Sequence, residues 1–236
     1  MPEEFSQPYQ QALDIKLADK IDFSTFVIGE DSIELNVIKQ AVMSQKNEFF
    51  YLFGPPGCGK SHFLSALFQM EKEKGNHVLF IDLSLVRSLG PEVLNSSLPP
   101  LVLLDNVEAV AGDEKLELAL FGLYNRWYDS GKGTLVISAR KSFDSVEFLK
   151  RDLTTRLSGG VICKINYLKE DECVRALYQR ALCRHINLPK NTVAFLVRHC
   201  NRDMSSLVKI LDRLEREQIE QSHSLTIPFV KQILGI

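Results

Sequence analysis

Residues 49–165 alternate between two hydrophobic patterns. Short, nearly unbroken apolar runs occupy residues 49–53, 78–82, 101–105, 134–138 and 161–165, and they are rich in branched and aromatic side chains. Apolarity that continues over about five residues fits strands covered on both faces, as in a parallel sheet. Between the runs the spacing turns helical. Residues 60–74 carry Phe63, Leu64, Leu67 and Phe68 on one stripe, and Gly75 stops them. Asp113 is a predicted N-cap for a second amphipathic helix with Leu116, Leu120, Leu123 and Trp127 on one face, ended near Gly131. Strands alternating with helices predict a three-layer α/β domain around a five-stranded parallel sheet. Beyond Asn166 strand signals cease. Residues 169–185 and 203–221 read as helices, Pro189 suits the first turn of another, and Pro228 starts a short last one. The predicted organisation is a tail (1–20), an α/β domain (21–165) and a small all-helical domain (166–236), without repeats.

The first helical pattern opens on a motif. Gly54, Pro55, Pro56, Gly57, Cys58, Gly59, Lys60 and Ser61 spell GxxxxGK[ST], directly after a predicted strand. The glycines let consecutive N–H groups curl toward an anion, and the following helix adds its positive end. Lys60 would reach the outer phosphates, and Ser61 would ligate Mg²⁺. A glycine turn beside an accidental lysine is the bland alternative, and the strand before and helix after count against it.

Composition narrows the class. The chain has 236 residues, 45% hydrophobic and 25% charged, which is ordinary for a globule with a real core. With 28 basic against 30 acidic residues its net charge is −2, not the footprint of a protein that grips DNA through its phosphates. Lys150, Arg151 and Arg156 form a local basic cluster. Arg198, Arg202, Lys209, Arg213 and Arg216 are interleaved with Asp203, Asp212, Glu215 and Glu217, the pattern of a solvated helix face. The five cysteines form no CxxC pair and the five histidines no HExxH, so neither zinc nor a disulfide framework is predicted. No apolar stretch approaches a membrane span, and the polar first residues lack a signal peptide's centre; the cytoplasm is the expected compartment.

The P-loop, together with residues 23–29 (Phe-Ser-Thr-Phe-Val-Ile-Gly), 101–105 (Leu-Val-Leu-Leu-Asp), 152–156 (Asp-Leu-Thr-Thr-Arg) and the helical tail, resembles the AAA+ ATPases in the branch of the initiator DnaA. Residues 104–114, 123–126, 130–132 and 225–234 resemble the DnaA-related Hda family more closely. The resemblance covers residues 23–234. It implies that Gly54 to Ser61 hold the phosphates of ADP or ATP, and that Asp105 is the Walker B carboxylate acting with Ser61 on Mg²⁺. It implies Val27 and Ile28 beside the base, Ser138 at the sensor-1 strand end, Arg202 as the lid's sensor-2 arginine and Arg156 as an arginine finger. Asn106 departs from the common AAA+ pattern, which puts a second carboxylate after the first. An amide cannot accept a proton as a carboxylate does, so slow self-hydrolysis is expected, with nucleotide serving as a conformational ligand.

Leu13, Ile15 and Leu17 alternate with polar residues and share one face of an extended peptide. Such a strip suits an apolar groove on a partner, or else an edge strand of the chain itself. The resemblance implies a sliding-clamp peptide here, with Ala12 where the family has glutamine and Lys16 where it has proline. The implied function is a regulator of replication initiation. It would bind nucleotide and the sliding clamp (the β subunit of DNA polymerase III) and stimulate hydrolysis of DnaA-bound ATP through Arg156, with no direct sequence-specific DNA binding. An autonomous AAA+ ATPase of the clamp-loader or helicase-loader type is the alternative, and a finger and P-loop on opposite edges would permit a homo-oligomer.

Overall fold

The computed structural model describes residues 22–29, 33–221 and 224–236. Its α/β part is built from α1 (Ile33–Met43), β1 (Glu48–Phe53), α2 (Lys60–Glu73), β2 (Val78–Asp82), α3 (Val86–Leu89), β3 (Leu101–Asp105), α4 (Glu114–Ser130), β4 (Thr134–Ala139), α5 (Arg151–Ser158) and β5 (Val161–Lys164). The five strands form one parallel sheet in the order β2-β3-β4-β1-β5. The strand and α4 predictions hold to within a residue or two.

Alternation along each strand divides the core in two. Phe50, Leu52, Leu103 and Val136 face α1 and α2, against Leu35, Ile38, Phe63, Leu64 and Leu67. Tyr51, Val102, Leu104, Leu135 and Ile137 face the opposite layer, where α4 supplies Leu116, Leu120, Leu123 and Trp127 and α5 supplies Leu153 and Leu157. Asp113 caps α4 as expected, accepting from the amides of Lys115 and Leu116. Because every connection in a parallel sheet is a crossover, all five strands deliver their C-terminal ends to one edge, where ligands bind in this architecture.

The C-terminal helices α6 (Glu170–Cys183), α7 (Lys190–His199), α8 (Met204–Gln221) and α9 (Ile227–Leu234) enclose a separate core around Leu177, Leu196, Leu207, Leu211 and Val230. Pro189 stands as the N-cap of α7 rather than inside its first turn. Among the described residues no helix is long and apolar enough to cross a membrane, and no cluster of three or more His, Cys, Asp or Glu offers a metal site.

Candidate functional site

The phosphate motif occupies the turn between β1 and α2. Gly57 (φ 77°) and Gly59 (φ 105°) take left-handed backbone that a side chain would strain. Gly59 is also the N-cap of α2 and has no side chain to cap that end. The first amides of α2 are therefore left for another acceptor, and the helix dipole favours an anionic one. Lys60 is buried, its ammonium donating to the carbonyls of Gly54 (2.7 Å) and Pro55 (3.0 Å). Cys58 is buried beside it, and burial pushes its thiol pKa up despite the nearby lysine.

Across the edge, β3 delivers Asp105 and β4 delivers Ser138, both buried. The Ser138 hydroxyl donates to the Asp105 carboxylate and accepts from the Asn106 amide at 3.1 Å. Asn106 has left-handed backbone (φ 60°), which asparagine tolerates better than most residues. Its Nδ2 donates to Asp82 Oδ1 at 3.0 Å, so it is turned toward the end of β2. Glu108, the next acid along, is engaged by Arg140: its Oε1 lies 3.0 Å from the guanidinium and its Oε2 accepts the Arg140 amide.

The phosphate loop and Asn106 border a cavity of about 470 Å³ between the sheet edge and the helical domain, whereas Asp105 and Ser138 are buried behind it and are not among its walls. Its walls include Val27, residues 56–61 and Asn106, with Arg180 and Lys209 contributed by the C-terminal helices. Gly54 and Pro55 border a shallower cleft on the other side, with Arg140, Lys141 and Lys164. Ile28 does not line the cavity. It packs on the α1–α2 core instead.

The helical domain is pinned to the phosphate loop. The Met204 amide, first in α8, donates to the Gly57 carbonyl at 3.2 Å. Asp203 precedes it and accepts from Ser206 N (2.8 Å) and Ser205 Oγ (2.7 Å). Burial opposes ionisation of Asp203, but those hydrogen bonds outweigh it and hold its carboxyl below the usual range. Arg202 is 58% exposed and pairs with Glu170 at 3.3 Å, sharing that carboxylate with Arg198. The Arg198 hydrogen bond lowers the Glu170 carboxyl pKa. Arg202 is thus not a wall of the cavity, whereas Arg180 is, through a 3.5 Å contact between its guanidinium and His62 Nδ1. His62 also meets Thr25 at 3.2 Å and the Phe26 ring edge-on.

Arg156 is exposed on α5, on the opposite layer from α2. Its guanidinium lies over two rings of α4, 6.0 Å from the Tyr124 centroid and 5.5 Å from that of Tyr128, instead of pairing with Asp152. Leu13, Ile15 and Leu17 lie outside the described residues. Sequence reasoning did not single out His62, Arg140 or Arg180, and it read Lys209 as part of a solvated helix face, whereas Lys209 lines the cavity. His62 directly follows the motif and was legible in principle. The other three depend on which way a helix or strand end faces after docking.

The site residues fit a Mg²⁺-nucleotide. Uncapped amides and a lysine would meet phosphate, while a serine hydroxyl and an aspartate would supply the hard oxygens that Mg²⁺ prefers beside water.

Residues 170–234 match the family model described as Hda, lid domain. The whole fold is similar to domain III of the Thermotoga maritima replication initiation protein DnaA, with a TM-score of 0.79 and 19% identity over 91% of this chain and 95% of that one. AMPPCP-bound DnaA from Aquifex aeolicus matches with a TM-score of 0.68 and 19% identity over 88% of this chain and 70% of that one. The Thermotoga maritima RuvB Holliday junction branch migration motor matches with a TM-score of 0.63 and 12% identity, over 86% and 67% respectively.

Proposed function

We propose that this chain, which joins an Hda lid domain to an AAA+ domain of the DnaA domain III fold, regulates replication initiation by promoting hydrolysis of ATP bound to DnaA. Its own nucleotide would be a structural ligand. Residues 56–61 and Lys60 would hold the phosphates, Ser61 and Asp105 the Mg²⁺, and Val27 would stand beside the base. That Mg²⁺ would neutralise phosphate charge.

The observation that carries the reading is a division of roles within one chain. At its own site the position after Asp105 is an amide, and the nearest further acid, Glu108, is tied up by Arg140. Arg156 meanwhile stands exposed outside its own cavity, with no carboxylate paired to it among the described residues. A guanidinium offered to another subunit's transferring phosphoryl group stabilises spread negative charge and raises the rate by roughly 10³ to 10⁵. The sliding clamp is the partner we assign to the Leu13, Ile15, Leu17 strip, which would bring the chain to replicating DNA without a DNA-reading surface of its own.

The test is single-turnover hydrolysis of radiolabelled ATP on DnaA, with clamp-loaded DNA and either this protein or its Arg156→Ala variant. Acceleration by the wild type and its loss in the variant are expected. An unchanged rate with the wild type would reject the function, and full activity of Arg156→Ala would reject the finger.

A further inference from the structure

We propose that Glu117 is the positioning residue for Arg156, an inference that rests on the trans-acting role just given. Glu117 lies in α4 and has no exposed surface at all. Its neighbours on the buried stripe, Leu116 and Leu120, are what packing alone would select. A carboxylate in such a place is costly unless its oxygens are satisfied. Here three backbone amides converge on it: Oε1 accepts from Gly112 N (2.9 Å) and Leu149 N (3.0 Å), and Oε2 from Lys150 N (2.9 Å).

Two of those donors are the residues that lead into α5. Lys150 is the N-cap of α5, and its own side chain caps nothing. Eight residues are too few for a helix to hold its shape alone. Leu153 and Leu157 fix how deep α5 sits, and Glu117 fixes where it starts, with a negative charge at the end that favours one. The other end of the mount is also on α4. Tyr124 and Tyr128 follow Glu117 by seven and eleven residues, so they share its helical face, and they carry the Arg156 guanidinium. One helix thus sets both the origin of α5 and the platform of its arginine. The bond to Gly112 ties the same carboxylate to the loop that follows Asp105 and Asn106.

Glu117→Gln is the informative change. A glutamine offers one carbonyl oxygen and must turn its NH₂ group toward at least one amide donor. The assay is DnaA-bound ATP hydrolysis in single turnover, titrated with this protein. The plateau rate should fall about 10-fold to 100-fold, as expected for displacement of a catalytic group by an ångström or so. The half-saturating concentration should stay within about threefold, since the docking surface is intact. Val42→Ala, in α1 on the other face of the sheet, serves as the variant with lowered stability but an untouched mount, and it should keep the wild-type plateau.

A wild-type plateau in Glu117→Gln, or an equal loss in Val42→Ala, would overturn the inference. If the wild type itself fails to accelerate hydrolysis, the functional reading fails, and the mount is judged by amide hydrogen exchange. The Leu149 and Lys150 amides should be protected in the wild type and lose protection in Glu117→Gln while α4 keeps its own. Exchange at loop rates in the wild type would overturn the mount directly, and that measurement needs no variant to fold.

Discussion

Gly57→Ala tests whether the helical domain is seated on the phosphate loop. A Cβ at Gly57 would lie 2.7 Å from Asp203 Oδ1 and 2.9 Å from Asp203 Cβ, on a backbone with φ 77°. The backbone strain costs about 1–2 kcal/mol, offset by about 0.4–1 kcal/mol from the stiffer unfolded chain. The overlap must also push Asp203 away, at about 0.5–2 kcal/mol for the lost cap on α8 and about 0.5–1.5 kcal/mol for the Met204–Gly57 hydrogen bond. Together these predict a loss of about 1–5 kcal/mol. Glycine replaces an acidic N-cap at a cost of only a few tenths of a kcal/mol. In an Asp203→Gly background both clashing atoms are gone, so Gly57→Ala should then cost about 1 kcal/mol. Urea unfolding of the four proteins, followed by far-UV circular dichroism, gives the cycle. A coupling above about 1 kcal/mol is expected, because residues in contact do not behave additively. If Gly57→Ala costs the same in both backgrounds to within about 0.5 kcal/mol, the two domains do not meet at this point and the reasoning fails.

Asn106→Asp should keep the left-handed backbone but set a carboxylate against Asp82 Oδ1 in place of the 3.0 Å amide bond. We expect a loss of about 1–3 kcal/mol in thermal or urea unfolding, with the protein's own ATP turnover rising less than about tenfold; unchanged stability would refute the pairing. Acid should loosen the seat of α8. The Asp203 carboxyl is depressed in the folded state, so its contribution is present above its unfolded value, near pH 3.9, and is lost as pH falls through the lower folded value. Helical signal lost on lowering the pH below about 4 should therefore be smaller in Asp203→Asn, which caps without titrating; equal losses would sink the assignment.

The sheet was legible because its strands are buried on both faces and read as apolar blocks, and because the motif at 54–61 names its own strand and helix. Helix α1 was not. Ile33–Met43 combines Leu35, Ile38, Ala41 and Val42 toward the core with Ile33, Val37 and Met43 left exposed, so no clean polar face marks the helical period. Asp105, Ser138 and residues 56–61 share one edge, as a parallel sheet requires of residues at strand ends. The lid side was harder. Arg202, between two helices, and Arg180 and Lys209, on helices, are all cations of the helical domain, and only docking distinguishes the one paired with Glu170 from the two that wall the cavity. Val27 and Ile28 divide likewise, Val27 lining the cavity and Ile28 packing on the α1–α2 core.

What joins the two ends of the molecule is the layer that carries α4 and α5. The strand end that supplies Asp105 continues through Asn106 and a short helical turn, Val107–Val110, to Gly112, whose amide is bound by Glu117. The same carboxylate holds the first residues of the Arg156 helix. Here Asn106 is bonded to Asp82 and Ser138, Glu108 to Arg140, and Glu117 to three amides. Such a layer suits a rigid mount better than a motor. Electrostatic stabilisation of a transition state is strongest when the charge is fixed before the reaction starts, because no energy is then spent reorganising it. An arginine held over two tyrosine rings, on a helix fixed at its origin, meets that requirement without depending on chemistry in its own nucleotide site.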